Sequence, residues 1–191
     1  MINKGHYDTP VGLGRRRFSL LEIYMEIIDE AFDFERIKKY PLKSNSEGWE
    51  FEAKINDEIV TIYIYIEEAE LNRFKLTPKM KSETSPEASV YNFGFEIGET
   101  RKNSQYAKTT YKDYIKILAT VGTALTKLIS SKHPDFVTFF SESKHGGIVS
   151  DTQKDDVYFK AIDKNKPSNY ELTTIIDSVD GKFGLMLYRK K

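Results

Sequence analysis

Cysteine is absent from the 191 residues. That excludes disulfides, thiolate zinc sites and cysteine nucleophiles. No apolar run approaches the ~20 residues that a membrane-spanning helix needs, so no contact with a membrane is expected. The opening segment, MINKGHYDTPVGLGRRRFSLL, lacks an apolar stretch ahead of a small-residue cleavage site, so it does not read as a secretory signal. Net charge is missing as well: Lys plus Arg and Asp plus Glu are 29 each. Nucleic-acid binders show a basic excess, which makes nucleic acid an unexpected partner. A chain with little self-repulsion is suited instead to self-assembly or to docking on a protein. Histidine is scarce, with only His6, His133 and His145, and no histidine and carboxylate share metal-ligand spacing. Walker, nucleophile-elbow and dinucleotide motifs are all lacking. Neither a metal nor a cofactor is expected.

What is present is aromatic. Phe, Trp and Tyr make up 13% of residues, each able to bury a large area, and the length fits one domain. Residues 1–17 have no periodicity and read as a polar N-terminal arm that ends on Arg15, Arg16 and Arg17. Residues 18–191 read as a single α+β domain. Ser19 and Glu22 form a capping box for a first helix, with Phe18 and Ile23 as its hydrophobic staple, and Pro41 ends any continuation. The period then changes to two. Trp49, Phe51, Ala53 and Ile55 alternate with polar residues, and Asn56-Asp57 supplies a two-residue turn. A hairpin closed there pairs Ile55 with Glu58, Ala53 with Val60, Phe51 with Ile62 and Trp49 with Ile64. Glu50, Glu52, Lys54, Thr61, Tyr63 and Tyr65 then take the opposite face, and a one-residue slip would exchange the two sets. The first helix is expected to cover Tyr63 and Tyr65, since an exposed aromatic face would mark a partner surface.

Residues 67–88 are polar and read as a long loop. Val90–Ile97 is a strand with Tyr91, Phe93, Phe95 and Ile97 on one face. After a second polar loop, Thr110 caps the strongest helix, whose stripe is Tyr111, Tyr114, Ile115, Leu118, Val121, Leu125, Leu128 and Ile129. Ala119, Gly122 and Ala124 keep parts of its surface small and permit close approach of the sheet. Pro134 stops it. Phe136–Phe140 reads as a buried strand, and a short helix follows with Val157, Tyr158, Ala161 and Ile162. Two closing strands, 170–179 and 183–189, are joined at Asp180-Gly181, a hairpin signal. The order α-β-β-β-α-β-α-β-β implies a mixed, twisted sheet of about six to seven strands with a long central helix.

That order resembles the fold of the GCN5-related acyl-CoA N-acetyltransferase family. There a meander of strands leads into a long central helix, then a strand, a second helix and a closing hairpin. The resemblance covers roughly residues 18–189 and is one of topology. The family's cofactor signature is Arg or Gln, two residues, Gly, any residue, then Gly or Ala, placed before the long helix. Here that junction reads Gly98-Glu99-Thr100-Arg101-Lys102-Asn103-Ser104-Gln105-Tyr106-Ala107-Lys108-Thr109-Thr110, without the glycine pattern. The resemblance implies a divergent acyl-CoA N-acyltransferase as an alternative function. Tyr158 lies where many members place a tyrosine that protonates the departing thiolate. Glu67, at the end of the central strand, is the matching general base.

Residues 90–190 also resemble a family of small uncharacterised bacteriophage proteins. Its members share a helix like Tyr114-Ile115-Lys116-Ile117-Leu118-Ala119-Thr120-Val121 and a strand ending in Ser-any-Ser, here Ser141-Glu142-Ser143-Lys144. They close near Leu-any-Arg-Lys, here Leu187-Tyr188-Arg189-Lys190. That resemblance implies a viral source and a place in the virion or the host cytoplasm. The leading expectation is a non-enzymatic viral protein acting through protein–protein contacts, as a virion component or a host-interaction factor. Arg15, Arg16 and Arg17 are its candidate partner-binding residues. The other polar candidates have plainer readings. His133 suits the dipole at a helix C-terminus. His145, on a glycine turn, has no Ser or Cys partner at recognisable spacing. Lys108, Thr109 and Thr110 could hold an anion at a helix N-terminus, though capping alone explains both threonines.

Overall fold

The computed structural model describes residues 33–55, 58–98, 111–140, 152–179, 181 and 183–190. All of them belong to one compact unit, Ala31–Lys191. The arm, the first helix as far as residue 32 and the junction before the long helix lie outside the described residues.

The strands are β1 (Lys43–Ser44), β2 (Gly48–Ile55), β3 (Glu58–Glu68), β4 (Val90–Ile97), β5 (Phe136–Phe140), β6 (Tyr170–Ile176) and β7 (Phe183–Arg189). The helices are α1 (Pro78–Glu83), α2 (Tyr111–Lys132) and α3 (Thr152–Asn165). The seven strands form one open sheet in the order β1-β2-β3-β4-β5-β7-β6. Every neighbouring pair is antiparallel except β4 and β5. The molecule is α+β with a mixed sheet, as expected, and α2 is the crossover between the two parallel strands.

The β2–β3 hairpin has the register read from its alternation, from Ile55 opposite Glu58 to Trp49 opposite Ile64. Phe51, Ala53, Ile55, Val60, Ile62 and Ile64 are all buried on the helix side of the sheet. At the other end of β2 the chain reverses through Asn45, whose Oδ1 accepts the amides of Glu47 at 3.0 Å and Gly48 at 2.7 Å. Gly48 has φ +156°, and a Cβ there would meet the Ile64 carbonyl oxygen at 2.5 Å. Only glycine suits that place.

Helix α2 lies against this face. Ile117, Val121, Ala124, Leu125, Leu128 and Ile129 join Phe51, Ile62, Phe93, Val137 and Leu187 in the main core. Ile115, Leu118 and Ala119 are also buried, so the helix is covered well beyond the stripe that faces the sheet. On its flank the absent side chain of Gly122 makes room for the Phe34 ring, which a Cβ would meet at 2.9 Å. The Thr120 hydroxyl donates to the Lys116 carbonyl at 2.8 Å and accepts the Tyr40 amide at 3.0 Å. Tyr40 in turn stacks on Phe51 and sits under the Lys116 ammonium, 3.7 Å from the ring centre. His133 ends the helix with φ 49°, the left-handed cap position, and Pro134 follows.

Two expectations need correction. Residues 67–88 are not one long loop. β3 runs on to Glu68, a 3₁₀ turn follows at Leu71–Arg73, and α1 starts at Pro78 with the Thr77 hydroxyl accepting the Met80 amide at 3.3 Å. Phe74 and Met80 are buried with Val90, Phe136, Ile175, Met186 and Tyr188 in a second core. That core covers the sheet face opposite α2, over β5, β7 and β6. The segment is fixed by tertiary pairing: Phe74 bridges to Asp177, and the Lys75 amide donates to the Ile176 carbonyl at 3.1 Å. The closing hairpin also differs. Ile176 pairs with Phe183, so β6 stops three residues before the expected end at residue 179. The reason is Asp177, which is 3% exposed. It turns inward to take the Arg73 guanidinium at 2.8 Å and the Val179 amide at 2.8 Å. Gly181 still adopts the positive φ, 66°, that its sequence position invites.

Candidate functional site

The sheet has two unlike halves on the side away from α2. Over β5, β7 and β6 the second core covers it. Over β2, β3 and β4 lie Glu50, Glu52, Lys54, Ile59, Thr61, Tyr63, Tyr65, Glu67, Asn92 and Glu96, by strand alternation. Cross-strand pairing sets them in rows. Tyr63 lies between Glu50 on β2 and Glu96 on β4, and Tyr65 lies between Gly48 and Gly94. A Cβ on Gly94 would meet the Tyr65 ring at 2.1 Å from its hydroxyl oxygen, so glycine lets that ring lie down across its neighbour strand. Tyr63 leans on Gly98 in the same way, 3.1 Å from where a Cβ would sit. Tyr63 remains 40% exposed and Ile59 77% exposed. Ordered strands thus hold large apolar groups in solvent, with glutamates around them.

Glu67 is exposed at the end of β3, opposite Asn92. Its side chain belongs to this open face. Tyr158, on α3, is half-buried and meets Phe95 edge-on, with ring centres 6.3 Å apart. Phe95 pairs with buried Ile64, so Tyr158 is on the α2 side. The sheet lies between the two expected acyl-transfer residues, and their side chains do not converge. Tyr158 also hydrogen-bonds Tyr114. Burial first, and then the neighbouring Tyr158 phenol, hold the Tyr114 hydroxyl protonated far above the ordinary tyrosine range. The pair is a half-buried phenol contact, in which the hydrogen bond joins the two polar ends.

Arg15, Arg16, Arg17, His6, His145, Lys108, Thr109 and Thr110 lie outside the described residues, as does the expected cover of the open face by the first helix. His133 is exposed in its cap. Among the described residues no group of three His, Asp or Glu could hold a metal, and no helix is long and apolar enough to cross a membrane.

Sequence reasoning missed three polar features. One is the Arg73–Asp177 pair, joined across 104 positions of sequence. Another is a clamp where β4 and β5 begin. Asp135 Oδ2 accepts the Ser89 amide at 3.0 Å and hydroxyl at 3.1 Å, and Oδ1 accepts Arg189. The third is the Thr138 hydroxyl, fully buried and donating to Asn92 Oδ1 across the same boundary. Only the open face had a signal, the period-two run of Glu50, Tyr63 and their neighbours. Comparison with protein-family models gives no match, and comparison with curated proteins gives none either.

Proposed function

We propose that this chain acts through protein–protein contacts and not by catalysis, as a viral protein that serves in the virion or binds a host factor. The observation that carries the contact reading is the open face of β2, β3 and β4, where Tyr63 and Ile59 stand 40% and 77% exposed on a regular sheet. Solvent-exposed apolar side chains on a rigid face are a common mark of an interaction surface. The viral part rests on the resemblance of residues 90–190 to bacteriophage proteins. Native mass spectra of the full chain, with and without acetyl-CoA, test the reading. The expected spectrum shows no one-to-one acetyl-CoA adduct. An adduct that survives competition by unrelated nucleotides would overturn it.

A divergent acyltransferase is the second reading, and one observation favours it. β4 and β5 pair only from Val90–Phe136 to Asn92–Thr138, then part, and Phe95 with Tyr158 lies beside the opening. Parting strands offer a cleft in an α/β-type sheet. This reading requires acyl transfer that is lost in Tyr158→Phe and in Glu67→Gln. Native rates in both would remove the roles given to these residues.

A further inference from the structure

Building on the contact reading, we infer that the row Glu50–Tyr63–Glu96 receives an arginine side chain from an extended segment of a partner protein. The register sets Glu50 and Glu96 directly on either side of Tyr63. Two strand spacings separate the glutamates by about 10 Å, with the ring midway between them. Among the described residues neither glutamate has an ion-pair partner. Among the described strand residues the lysines on the same face are Lys54 and Lys43; Lys43 lies opposite Glu50 in the β1–β2 register but makes its ion pair with Glu52, at 3.6 Å. The row is therefore an aromatic surface between two carboxylates that no described residue ion-pairs.

A guanidinium fits that arrangement better than other groups do. Its flat face stacks on a tyrosine ring while its in-plane N–H groups point outward to carboxylates on both sides. A lysine ammonium is a point charge with no face to stack. Single-stranded nucleic acid also stacks on aromatic sheets, but it needs a positive groove for its phosphates. Glu50, Glu52, Glu67 and Glu96 make this face negative. Ile59 gives the occupant a second feature. It lies four residues from Tyr63 along β3 and on the same side, about 13 Å away at ordinary strand rise. A partner segment laid along β3 would set an apolar side chain on Ile59 and the arginine on Tyr63.

The test is a titration of the full ¹⁵N-labelled chain with a short blocked peptide of Gly and Ser around one arginine and one leucine, spaced to span Tyr63 and Ile59. Amide shifts are expected at Glu50, Tyr63 and Glu96. Affinity should fall about fivefold in Tyr63→Ala and by a similar factor in Glu50→Gln/Glu96→Gln, and Tyr63→Phe should bind like the native chain. The lysine peptide should bind about threefold more weakly than the arginine peptide. Equal affinity in all these variants, with native melting curves, would overturn the proposal. So would an oligouridylate that shifts the same amides more strongly than the peptide does. Failure of the peptide to bind, with no acetyl-CoA adduct in the mass spectra, would sink the arginine site and leave the contact reading in place. A stoichiometric adduct would remove both.

Discussion

Single side chains decide where this fold responds to acid. Asp135 is the clearest case. Burial alone would raise its carboxyl, but the Ser89 amide, the Arg189 guanidinium and the Ser89 hydroxyl together hold it below the ordinary carboxylate range. A carboxylate with a depressed folded pKa stabilises the fold above its unfolded value, about 3.9 for Asp. That contribution is lost as pH falls through the lower, folded value. Glu171 behaves alike, chiefly through its hydrogen bond from the Tyr188 hydroxyl. The native melting temperature should therefore drop as pH is lowered below about 4. Asp135→Asn should melt lower at neutral pH and lose less on acidification, with Glu171 supplying the slope that is left. Circular-dichroism melts of both chains between neutral and acid pH check this, and parallel curves would contradict it. None of this was legible in the sequence. Asp135 follows Pro134, and Asp177 precedes a Gly-containing turn, where Asp ordinarily reads as a solvated turn residue.

At the scale of elements, legibility followed local pattern. The β2–β3 hairpin was readable to the residue because one apolar face, one polar face and a two-residue turn all agree on a single register. Helix α2 was readable in extent, since Pro134 ends it and its stripe is long. Its burial on further sides was not, because a periodicity search finds the strongest face and says nothing about what packs elsewhere. The segment of residues 69–89 shows the opposite limit. It has neither helical nor strand period, and its order comes from Phe74 and Met80 seated against β5, β6 and β7. Phe74→Ala should accordingly destabilise the chain by roughly 3 kcal/mol, near the lower end for a buried phenylalanine. Urea unfolding measures it, and a change below about 1 kcal/mol would mean that the segment is only laid on the surface.

Across the whole molecule, the sheet joins two antiparallel groups, each nearly contiguous in sequence. β1 to β4 form one and β5 to β7 the other. Strands with partners on both sides should protect their amides best. Hydrogen exchange is expected to be slowest in β3 and β7, and faster in β6, which among the described residues has a ladder with β7 alone and is met on its outer edge only at Ile176 by Lys75, and in β1, which is two residues long. Comparable protection in β6 and β7 would show that the edge is covered by something else. The boundary between the groups is narrow: Val90–Phe136 to Asn92–Thr138, with the Ser89–Asp135 clamp at its head. Between β2 and β6 this ladder is the shortest, so traction applied across those strands would find its weakest section there, because every longer ladder shares the load over more residues. A chain pulled by β2 and β6 would yield between β4 and β5 first, with α2 left as the tether that lets the halves close again.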